Sequence, residues 1–549
     1  MEPALFYRGR RAYSRKPEHR HADLREKTAD KILTRTGSLL EIETRVIRGR
    51  VLKVWKNLWP SLRLFFLHST KLHADKTYVV YEKERYTFSE ILEKAVRCAA
   101  IFRDVYGVRK GDRVSICSRN CPTYLVVFWA CHLLGAVTAL IDPSQPLELL
   151  RYCITLARCT LIVLDPETAD KIETIATELR LPSGTAGYIV LEDYEGNGHP
   201  GDVLGDDPHI SPEDDATITF TSGTTGLPRR DCLRRGEPFP PVPIAGPQEG
   251  TLIPRALSNA SAFNTAMFGT SQGLKLVLTR TWNAHEGKDQ LYKTENITRL
   301  SSTSSIVREL IDRPLSEISI RTIAYGGTAM ATAHLYRLKQ AFPLATFIQV
   351  YGLTENGGNA VGFAGSDLVA RPDSCGFVTP VNEILIMKDG VKVAPGVVGE
   401  IWVRGPNVLT NDGWLLTGDL GRMDEYGYVY VHDRIEDIIV CDGNNVNSIF
   451  VENALYTEPG ILEVAVVGVP DEYLGEVPVA LVSLKPGYDG LVDEEGLMAT
   501  AEKLLPKYAV PMMIIPYENG FDHTSSGKII KAPLRAIAQE EWARKSRKE

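Results

Sequence analysis

One segment, Thr217–Arg229, constrains this chain more than any other because an apolar run changes abruptly there into glycines and hydroxyls. Thr217–Phe220 has the β-branched and aromatic composition of a buried strand. The next residues read Thr-Ser-Gly-Thr-Thr-Gly-Leu-Pro-Arg. Small residues let backbone N–H groups approach an anion closely, and hydroxyls add donors. The segment predicts a strand followed by a polyphosphate-binding loop that is not a Walker A loop. A plain turn between core elements is the alternative.

Strand and helix patterns alternate over most of the chain, which predicts a largely parallel sheet. With 549 residues the chain exceeds the size of a single core, so two or more domains are expected. Between 399 and 434 the pattern becomes that of short β-strands. A last unit of about 115 residues then mixes strands and helices, within the usual size of one domain. We therefore expect an α/β fold with a large N-terminal domain of mixed, largely parallel sheets, a small β-rich subdomain, and a smaller α+β C-terminal domain.

The N-terminal 74 residues form a basic extension. Residues 1–56 hold 15 Lys and Arg against 7 Asp and Glu, although the whole chain has a net charge of −7. Within Arg45–Thr70, Val and Trp residues recur at helical spacing between cations, which predicts an amphipathic helix ended near Pro60. Such a helix can lie on an anionic membrane or pack on the next domain. No signal-peptide core follows Met1, and the acidic residues disfavour a mitochondrial transit peptide.

Composition excludes several classes of protein. The acidic balance disfavours a general nucleic-acid binder. The nine cysteines show no zinc-ligand spacing, and their odd number favours a reducing compartment, so we expect an intracellular, cytoplasmic protein. The apolar run Tyr124–Ile141 is at the lower length limit for a membrane span. His132, Gly135 and the exit into Asp142 favour a buried helix followed by a strand instead.

Four later stretches carry residue types suited to a nucleotide. Tyr325-Gly-Gly-Thr328 would let a flat ring lie against the backbone. Tyr351-Gly-Leu-Thr-Glu355 ends a predicted strand, where ligands bind in open α/β sheets. Thr417-Gly-Asp419 offers a carboxylate to a ribose, and Ser525-Ser-Gly-Lys528 places a lysine on a small turn. Taken singly, each has an ordinary alternative: a tight turn, a capped helix start, an Asx-turn or a solvated lysine.

Together and in this order, these stretches resemble the adenylate-forming superfamily of acyl- and aryl-CoA synthetases, luciferases and peptide-synthetase adenylation domains. The resemblance covers residues 75–540, and within this range it includes three further stretches, 128–137, 399–405 and 433–443. It implies an adenylation domain over 75–434 and a mobile C-terminal domain over 435–549 that carries the catalytic lysine. Among its members, a fatty-acyl- or aryl-CoA ligase is the most similar.

The resemblance also implies residue roles. Lys528, Thr354 and Glu355 would be catalytic, with Glu355 binding Mg²⁺. Glu436 would be the hinge, and Gly443 would line the thiol channel. The nucleotide would be held by the phosphate loop, the adenine-bordering residues and the ribose-binding pair: Thr221, Ser222, Gly223, Thr224, Thr225, Gly226, Arg229, Gly326, Gly327, Thr328, Tyr351, Asp419 and Arg434.

The implied reaction is ATP-dependent activation of a carboxylic acid to an acyl-adenylate, followed by transfer to the thiol of CoA, with ATP, Mg²⁺ and CoA as cofactors or co-substrates. A stand-alone enzyme that loads a carrier-protein thiol and a catalytically weakened nucleotide-binding homologue are the alternatives. The chain departs from the family at Arg229, which replaces a lysine, and in the segment that follows. We predict Arg229–Gly250 to be a loop or poorly ordered insert.

Overall fold

The computed structural model describes residues 34–38, 40–47, 49–183, 187–191, 202–211, 214–221, 230–234, 249–280, 294–308, 311, 320–406, 408, 413–518, 520–524 and 527–546, with backbone only at 180–183, 230–234 and 546. Most of the predicted phosphate loop, Ser222–Arg229, lies outside these residues, as do Ser525 and Ser526.

The described chain contains 27 strands. In chain order they are β1 Ile42–Ile47, β2 Arg50–Trp55, β3 Thr77–Tyr81, β4 Glu84–Thr87, β5 Arg113–Cys117, β6 Val137–Leu140, β7 Leu161–Leu164, β8 Gly187–Val190, β9 Asp215–Phe220, β10 Arg230–Arg234, β11 Gly250–Ile253, β12 Lys275–Leu278, β13 Ile297–Thr303, β14 Thr322–Gly326, β15 Thr346–Tyr351, β16 Val361–Ala364, β17 Gly376–Val378, β18 Glu383–Lys388, β19 Val391–Lys392, β20 Gly399–Arg404, β21 Leu415–Met423, β22 Tyr428–Arg434, β23 Ile439–Cys441, β24 Asn444–Val446, β25 Ile461–Asp471, β26 Gly475–Leu484 and β27 Met513–Pro516.

The described α-helices number thirteen, and short 3₁₀ turns include Thr354–Asn356 and Ile435–Asp437. The helices are α1 Leu62–His73, α2 Phe88–Asp104, α3 Pro122–Leu134, α4 Leu147–Ala157, α5 Pro166–Ile172, α6 Ala176–Ser183, α7 Ala260–Gln272, α8 Ser304–Arg308, α9 Thr332–Ala341, α10 Ser366–Ala370, α11 Ser448–Leu455, α12 Glu494–Leu504 and α13 Lys531–Ser546.

Two large sheets form the N-terminal part. The first has six strands in the order β10-β9-β6-β5-β7-β8, all parallel except β10. The second has fourteen strands, in the order β19-β18-β20-β21-β22-β17-β16-β15-β14-β13-β11-β12-β3-β4. Its stretch from β15 to β3 is parallel, and its stretch from β16 to β19 is antiparallel. The mixed, largely parallel architecture with a β-rich portion is therefore confirmed.

The C-terminal part has its own sheet, β24-β23-β26-β25, with β27 paired to β26. Helices α11 and α12 cover one face and α13 covers the other, each over a separate apolar cluster. The predicted order of strand, helix, strand, strand, helix over 437–505 matches β23, α11, β25, β26 and α12.

The apolar run at 124–141 forms a buried helix and strand, as predicted. Helix α3 is almost wholly buried and ends at Gly135, which adopts φ +76 before β6 begins. Trp129 of this helix stacks on Phe66 at a centroid distance of 4.1 Å. Across the described residues, no helix has both the length and the apolar character needed to cross a membrane.

The helix predicted from Arg45 is wrong over its first half, because residues 42–47 and 50–55 form the antiparallel strand pair β1–β2. Gly49 adopts φ +76 at the turn, a conformation that favours a hairpin and would interrupt a helix. Leu52 and Val54 are buried while Lys53 between them is exposed. Apolar residues at 46, 51, 54 and 55 satisfy a helical spacing, but the turn at Gly49 selects the hairpin, and β2 then shows the alternation of a strand. A helix follows only at α1, after Pro60.

The prediction of a loop after Arg229 is wrong at its start. Residues 230–234 form β10, which pairs antiparallel with β9 from Arg230 opposite Phe220. The sequence of this strand, Arg-Asp-Cys-Leu-Arg, lacks the apolar alternation that predicts a strand, because an edge strand needs few apolar side chains. Residues 235–248 lie outside the described part of the chain.

Candidate active site

Four neighbouring parallel strands end at one edge of the large sheet. They are β11, β13, β14 and β15, which pair in that order with a common direction. Their carboxyl ends bring together Arg255, Thr303, Gly326 and Tyr351, each at or just beyond the end of its strand. The crevice outside such ends is the usual place for a ligand in an open α/β sheet.

Glycines at this edge allow close backbone contacts. A Cβ on Gly326 would lie 2.4 Å from the carbonyl oxygen of Val350, and one on Gly352 would lie 1.5 Å from the carbonyl oxygen of Gly358. Gly327 adopts φ +77, which favours glycine. Substitution at Gly326 or Gly352 would displace the backbone next to Tyr351, and substitution at Gly327 would strain its own backbone, so the glycines shape the crevice rather than merely end a strand.

A closed hydrogen-bonded network lies on one side of the crevice. The hydroxyl of Tyr351 donates to Asp419 Oδ2 at 2.7 Å, and Arg434 Nη1 donates to Asp419 Oδ1 at 3.1 Å. Asp419 and Arg434 are direct partners across β21 and β22. Burial, with the adjoining Asp419 carboxylate, raises the pKa of Tyr351 well above its usual value, so its hydroxyl stays a donor.

Asp419 was predicted to follow a turn, but it lies inside β21. Gly418 at φ +72 and the irregular register of β21 near Gly421 give the strand a local bend there. Thr417 Oγ1 accepts a hydrogen bond from the Asp419 backbone N–H at 3.0 Å. The carboxylate is thus fixed from its own backbone as well as by its two side-chain partners.

Thr354 and Glu355 begin a short 3₁₀ turn after β15. Asn356 fixes this turn, because its Oδ1 accepts the Leu353 N–H at 2.7 Å. In the part of the chain described, nothing donates a hydrogen bond to the Glu355 carboxylate, and no cluster of three His, Cys, Asp or Glu side chains is found. One carboxylate beside a triphosphate is a donor set that suits Mg²⁺, which takes one or two carboxylates together with phosphate oxygens and water.

Lys528 approaches this site from the C-terminal domain. Its loop is closed by Thr524, whose backbone N–H donates to the Lys528 carbonyl at 2.8 Å and whose Oγ1 accepts the Lys528 N–H at 3.1 Å. Burial lowers the pKa of Lys528; the Asp419 carboxylate opposes this shift, the Arg434 cation adds to it, and Glu355 opposes it weakly. The lysine therefore lies within electrostatic range of three predicted site residues.

Other contacts hold the C-terminal domain against the N-terminal one. Arg308 Nη1 donates to the Tyr456 hydroxyl at 2.8 Å, and the His334 ring packs on Tyr456 at a centroid distance of 4.8 Å. Ala331 belongs to the apolar cluster of the C-terminal domain. Burial lowers the pKa of His334 to about 3, and nearby cations add to this effect. His334 is therefore neutral in the docked arrangement.

Of the remaining predicted residues, Glu436 contacts Arg434 of this network, and the others lie in turns or just after strands. Glu436 is in the 3₁₀ turn between the two domains, with its Oε1 at 3.5 Å from Arg434 Nε. Gly443 adopts φ +72 in the exposed turn between β23 and β24. Thr221 directly follows β9, at the corresponding edge of the six-stranded sheet, and Thr328 accepts a hydrogen bond at its carbonyl from Ser304 Oγ at 2.7 Å.

Sequence reasoning missed Arg255. It is 9% exposed and lies beside the loop of Lys528. The available signal was a lone cation after the apolar strand β11, but nothing local shows whether such a cation is paired.

Comparison with known proteins decides the family. The AMP-binding enzyme family matches residues 66–411, and its C-terminal domain matches residues 451–528. The chain belongs to the AMP-binding enzyme family. Relatives of this AMP-binding enzyme include a 2-succinylbenzoate–CoA ligase from Bacillus cereus, 28% identical over 85% of this chain and 97% of the relative.

Solved structures show the same fold. An anthranilate CoA ligase in complex with anthranoyl-AMP matches this AMP-binding enzyme with a TM-score of 0.76 at 20% identity, over 89% of this chain and 98% of the other. The O-succinylbenzoate CoA synthetase from Bacillus subtilis, in complex with ATP and magnesium ion, matches with a TM-score of 0.70 at 23% identity, over 86% and 98%.

Proposed function

We propose that this AMP-binding enzyme activates a carboxylic acid with ATP and transfers the acyl group to the thiol of CoA. The observation that carries the proposal is the position of the Lys528 loop, which comes from a separate domain and lies against Arg255 and Thr303 at the carboxyl ends of β11 and β13. Asp419, Arg434 and Glu355 are close enough to influence the pKa of Lys528. A solvated surface lysine would have no reason to be placed there. The named activities of the relatives support the same reaction class.

The first half-reaction joins two anions, because a carboxylate oxygen attacks the α-phosphorus of ATP and pyrophosphate leaves. Lys528 would stabilise the charge that develops between carboxylate and phosphate. Mg²⁺ held by Glu355 and the phosphates would supply further positive charge. Thr354 would donate to the α-phosphate, and Thr221 with the following loop would hold the outer phosphates.

The nucleoside would be fixed by groups that need no net charge. Tyr351 would stack on adenine beside Gly326, Gly327 and Thr328. Asp419 and Arg434 would bind the ribose hydroxyls. The cations Lys528 and Mg²⁺ would then bind only the phosphate and carboxylate oxygens.

In the second half-reaction the thiol displaces AMP from the acyl-adenylate. We propose that the domain over 435–549 rotates about Glu436, withdraws Lys528 and presents Gly443 to the thiol channel. The acyl-adenylate is a mixed anhydride with AMP as a good leaving group, so the thiol needs no strong base. Closure also limits loss of the adenylate to water.

The acid is best sought among aromatic acids, since the compared proteins are named for 2-succinylbenzoate and anthranilate. Gly357, Gly358 and Ala360 are small, and the Asn264 amide lies against two of them. Its Nδ2 donates to the Gly357 carbonyl at 3.0 Å and lies 2.6 Å from where a Cβ on Gly358 would be. A fatty acid is the second class to test. Cytoplasmic location and membrane contact through 45–70 stay predictions, the latter to be tested by cosedimentation with anionic vesicles.

The test is a panel of aromatic, dicarboxylic and fatty acids incubated with ATP, Mg²⁺ and CoA. We expect one class to give AMP, pyrophosphate and acyl-CoA in equal amounts. If pyrophosphate is released but the acyl group is transferred only to a carrier-protein thiol, the acceptor is the carrier protein and not CoA. ATP binding without acid-dependent pyrophosphate release from any acid would contradict the proposal and favour a nucleotide-binding homologue.

A further inference from the structure

Arg255 is held rigidly at the edge of the crevice. It follows β11 and Pro254, and its carbonyl accepts a hydrogen bond from Asn120 Nδ2 at 2.7 Å. Asn120 Oδ1 accepts the N–H of Leu257 at 2.8 Å, so one buried amide clamps both sides of the turn. The backbone that carries the guanidinium therefore has little freedom.

The guanidinium is buried with few partners. Nη1 donates to Thr303 Oγ1 at 3.1 Å, whereas the buried Nε has no hydrogen-bond acceptor. Among the described residues, no carboxylate lies within ion-pair distance of it. Burial lowers the pKa of Arg255 to about 10, with the more distant Asp142 opposing the shift, so the side chain is a cation at neutral pH. A buried charge is normally paired, because its desolvation is otherwise uncompensated.

Lys531 and Arg63 show how this chain treats other buried cations. Lys531 contacts Glu452 at 2.9 Å and donates to Ser448 Oγ at 2.7 Å. Arg63 donates to the carbonyls of Leu133, Val203, Leu204 and Asp206. Among the described residues, Lys531 thus has a carboxylate partner and Arg63 has four carbonyl acceptors, whereas Arg255 has one hydroxyl acceptor.

The surroundings of Arg255 are the parts of the predicted site. A Cβ on Gly527 would lie 2.6 Å from Arg255 Nη1 and 3.3 Å from Thr303 Oγ1, so the guanidinium touches the loop of Lys528. The methyl of Thr303 lies 3.7 Å from the corresponding point on Gly327. Arg255 thus faces the lysine loop and, through Thr303, the adenine-bordering turn.

We propose that Arg255 is a second cation of the reacting centre, which binds an anionic oxygen of the acid's carboxylate or of the phosphate that it attacks. The inference rests on the proposed function and extends it. In the reaction a carboxylate oxygen forms a bond to the α-phosphorus while the bond to pyrophosphate breaks, and no proton moves. Negative charge is concentrated throughout, so a guanidinium beside Lys528 would stabilise it with paired N–H donors.

The test is acid-dependent ATP–pyrophosphate exchange by Arg255→Met, Arg255→Lys and Arg255→Ala. We expect Arg255→Met to lower kcat/KM about 100-fold, as for loss of one charge-stabilising donor, and Arg255→Lys to recover part of the loss. Millimolar guanidinium should raise exchange by Arg255→Ala, while equal urea or NaCl should not. A rise in KM for the acid alone would place the bound oxygen on the carboxylate, and a rise in Kd for ATP would place it on the phosphate.

Arg63→Met is the matched control, since it removes a buried guanidinium far from the Lys528 loop. We expect it to lower the melting temperature without any guanidinium-dependent gain in exchange. Undiminished exchange by Arg255→Met would overturn the proposal while leaving the proposed function intact. The proposal would also be overturned if Arg255→Met lost exchange only in step with a lower melting temperature, as in Arg63→Met, and if guanidinium did not restore exchange by Arg255→Ala. No exchange by the wild type with any acid would remove both.

Discussion

The two sides of the crevice differ in how their charges are satisfied. On the nucleoside side, Asp419 is bound by both Tyr351 and Arg434 before any ligand is considered. On the reacting side, the side chain of Arg255 donates one hydrogen bond within the described part of the chain, to a neutral hydroxyl, and its Nε has no acceptor there. A polar network whose members are already hydrogen-bonded suits the uncharged portion of the ligand, the ribose and adenine. A cation with few hydrogen-bond partners suits the anionic portion, the phosphate or carboxylate.

Lys531 and Lys528 lie only three residues apart and make the same point within one domain. Burial alone would lower the pKa of Lys531, but the Glu452 and Asp433 carboxylates outweigh burial and raise it. For Lys528, burial outweighs Asp419 and Glu355, and the pKa falls. Carboxylates of the protein therefore compensate the charge of Lys531, whereas the charge of Lys528 is left to be compensated by an anionic substrate.

The largest effect should come from removing the site lysine. We expect Lys528→Ala to lower acid-dependent pyrophosphate exchange by 10²-fold or more, on the order of the loss of a main charge-stabilising group, with ATP binding nearly unchanged. Exchange kinetics and ATP titration of the same preparation check this. Wild-type exchange by Lys528→Ala would break the assignment of the reacting side.

Disrupting the nucleoside network should have a smaller and different effect. Asp419→Asn keeps the shape but loses the charge that Tyr351 and Arg434 share. We expect KM for ATP to rise about tenfold, the value of one charged hydrogen bond, and KM for the acid to change little. Steady-state kinetics with each substrate varied in turn would show the split. An equal rise in both constants would contradict the separation of the two sides.

The alkaline limb of the pH profile should report the charge of Lys528. Because its pKa is lowered, activity that needs the protonated amine should fall at a pH below 10.5, the ordinary value. Asp419 raises this pKa and Arg434 lowers it. The limb should therefore move to lower pH in Asp419→Asn and to higher pH in Arg434→Gln, measured as kcat at saturating ATP. Shifts in the same direction in both variants would be inconsistent with this electrostatic arrangement.

The smallest effect concerns docking of the C-terminal domain. His334 has a pKa of about 3 when buried against Tyr456, and an ordinary value of 6.5 when released. Between pH 3 and pH 6.5 the imidazole of His334 binds a proton only in the released state. The docking equilibrium constant therefore has its full value above pH 6.5 and decreases as the pH falls, by at most about tenfold per pH unit. Hydrogen exchange near Tyr456 should increase from pH 7 to pH 5 after correction for intrinsic rates, and less so in His334→Phe. Equal increases would exclude the role of His334.

Sequence patterns predicted much of the scaffold. The buried helix–strand pair at 124–141 follows from a long apolar run, and the order of strands and helices over 437–505 follows from the local sequence pattern. Such features are local, so the sequence states them directly.

The errors arose where local periodicity was ambiguous or absent. The hairpin β1–β2 has apolar residues that fit a helical repeat as well as a strand, and the turn at Gly49 settled the choice. In the site, the contact between Tyr351 and Asp419 spans 68 residues of chain, and that between the Arg255 and Gly527 regions spans more. Only the packing of strand ends and domains shows which cations are paired.

A pair of double-mutant cycles tests the division of the site most directly. Exchange is measured for Asp419→Asn with Arg434→Gln, and for Asp419→Asn with Arg255→Met, each with its single variants. We expect the first pair to be non-additive by about 1 kcal/mol or more, because the two side chains share one network. We expect the second pair to be additive within about 0.5 kcal/mol. Coupling of Asp419 to Arg255 as strong as its coupling to Arg434 would contradict the separation of a nucleoside side from a reacting side.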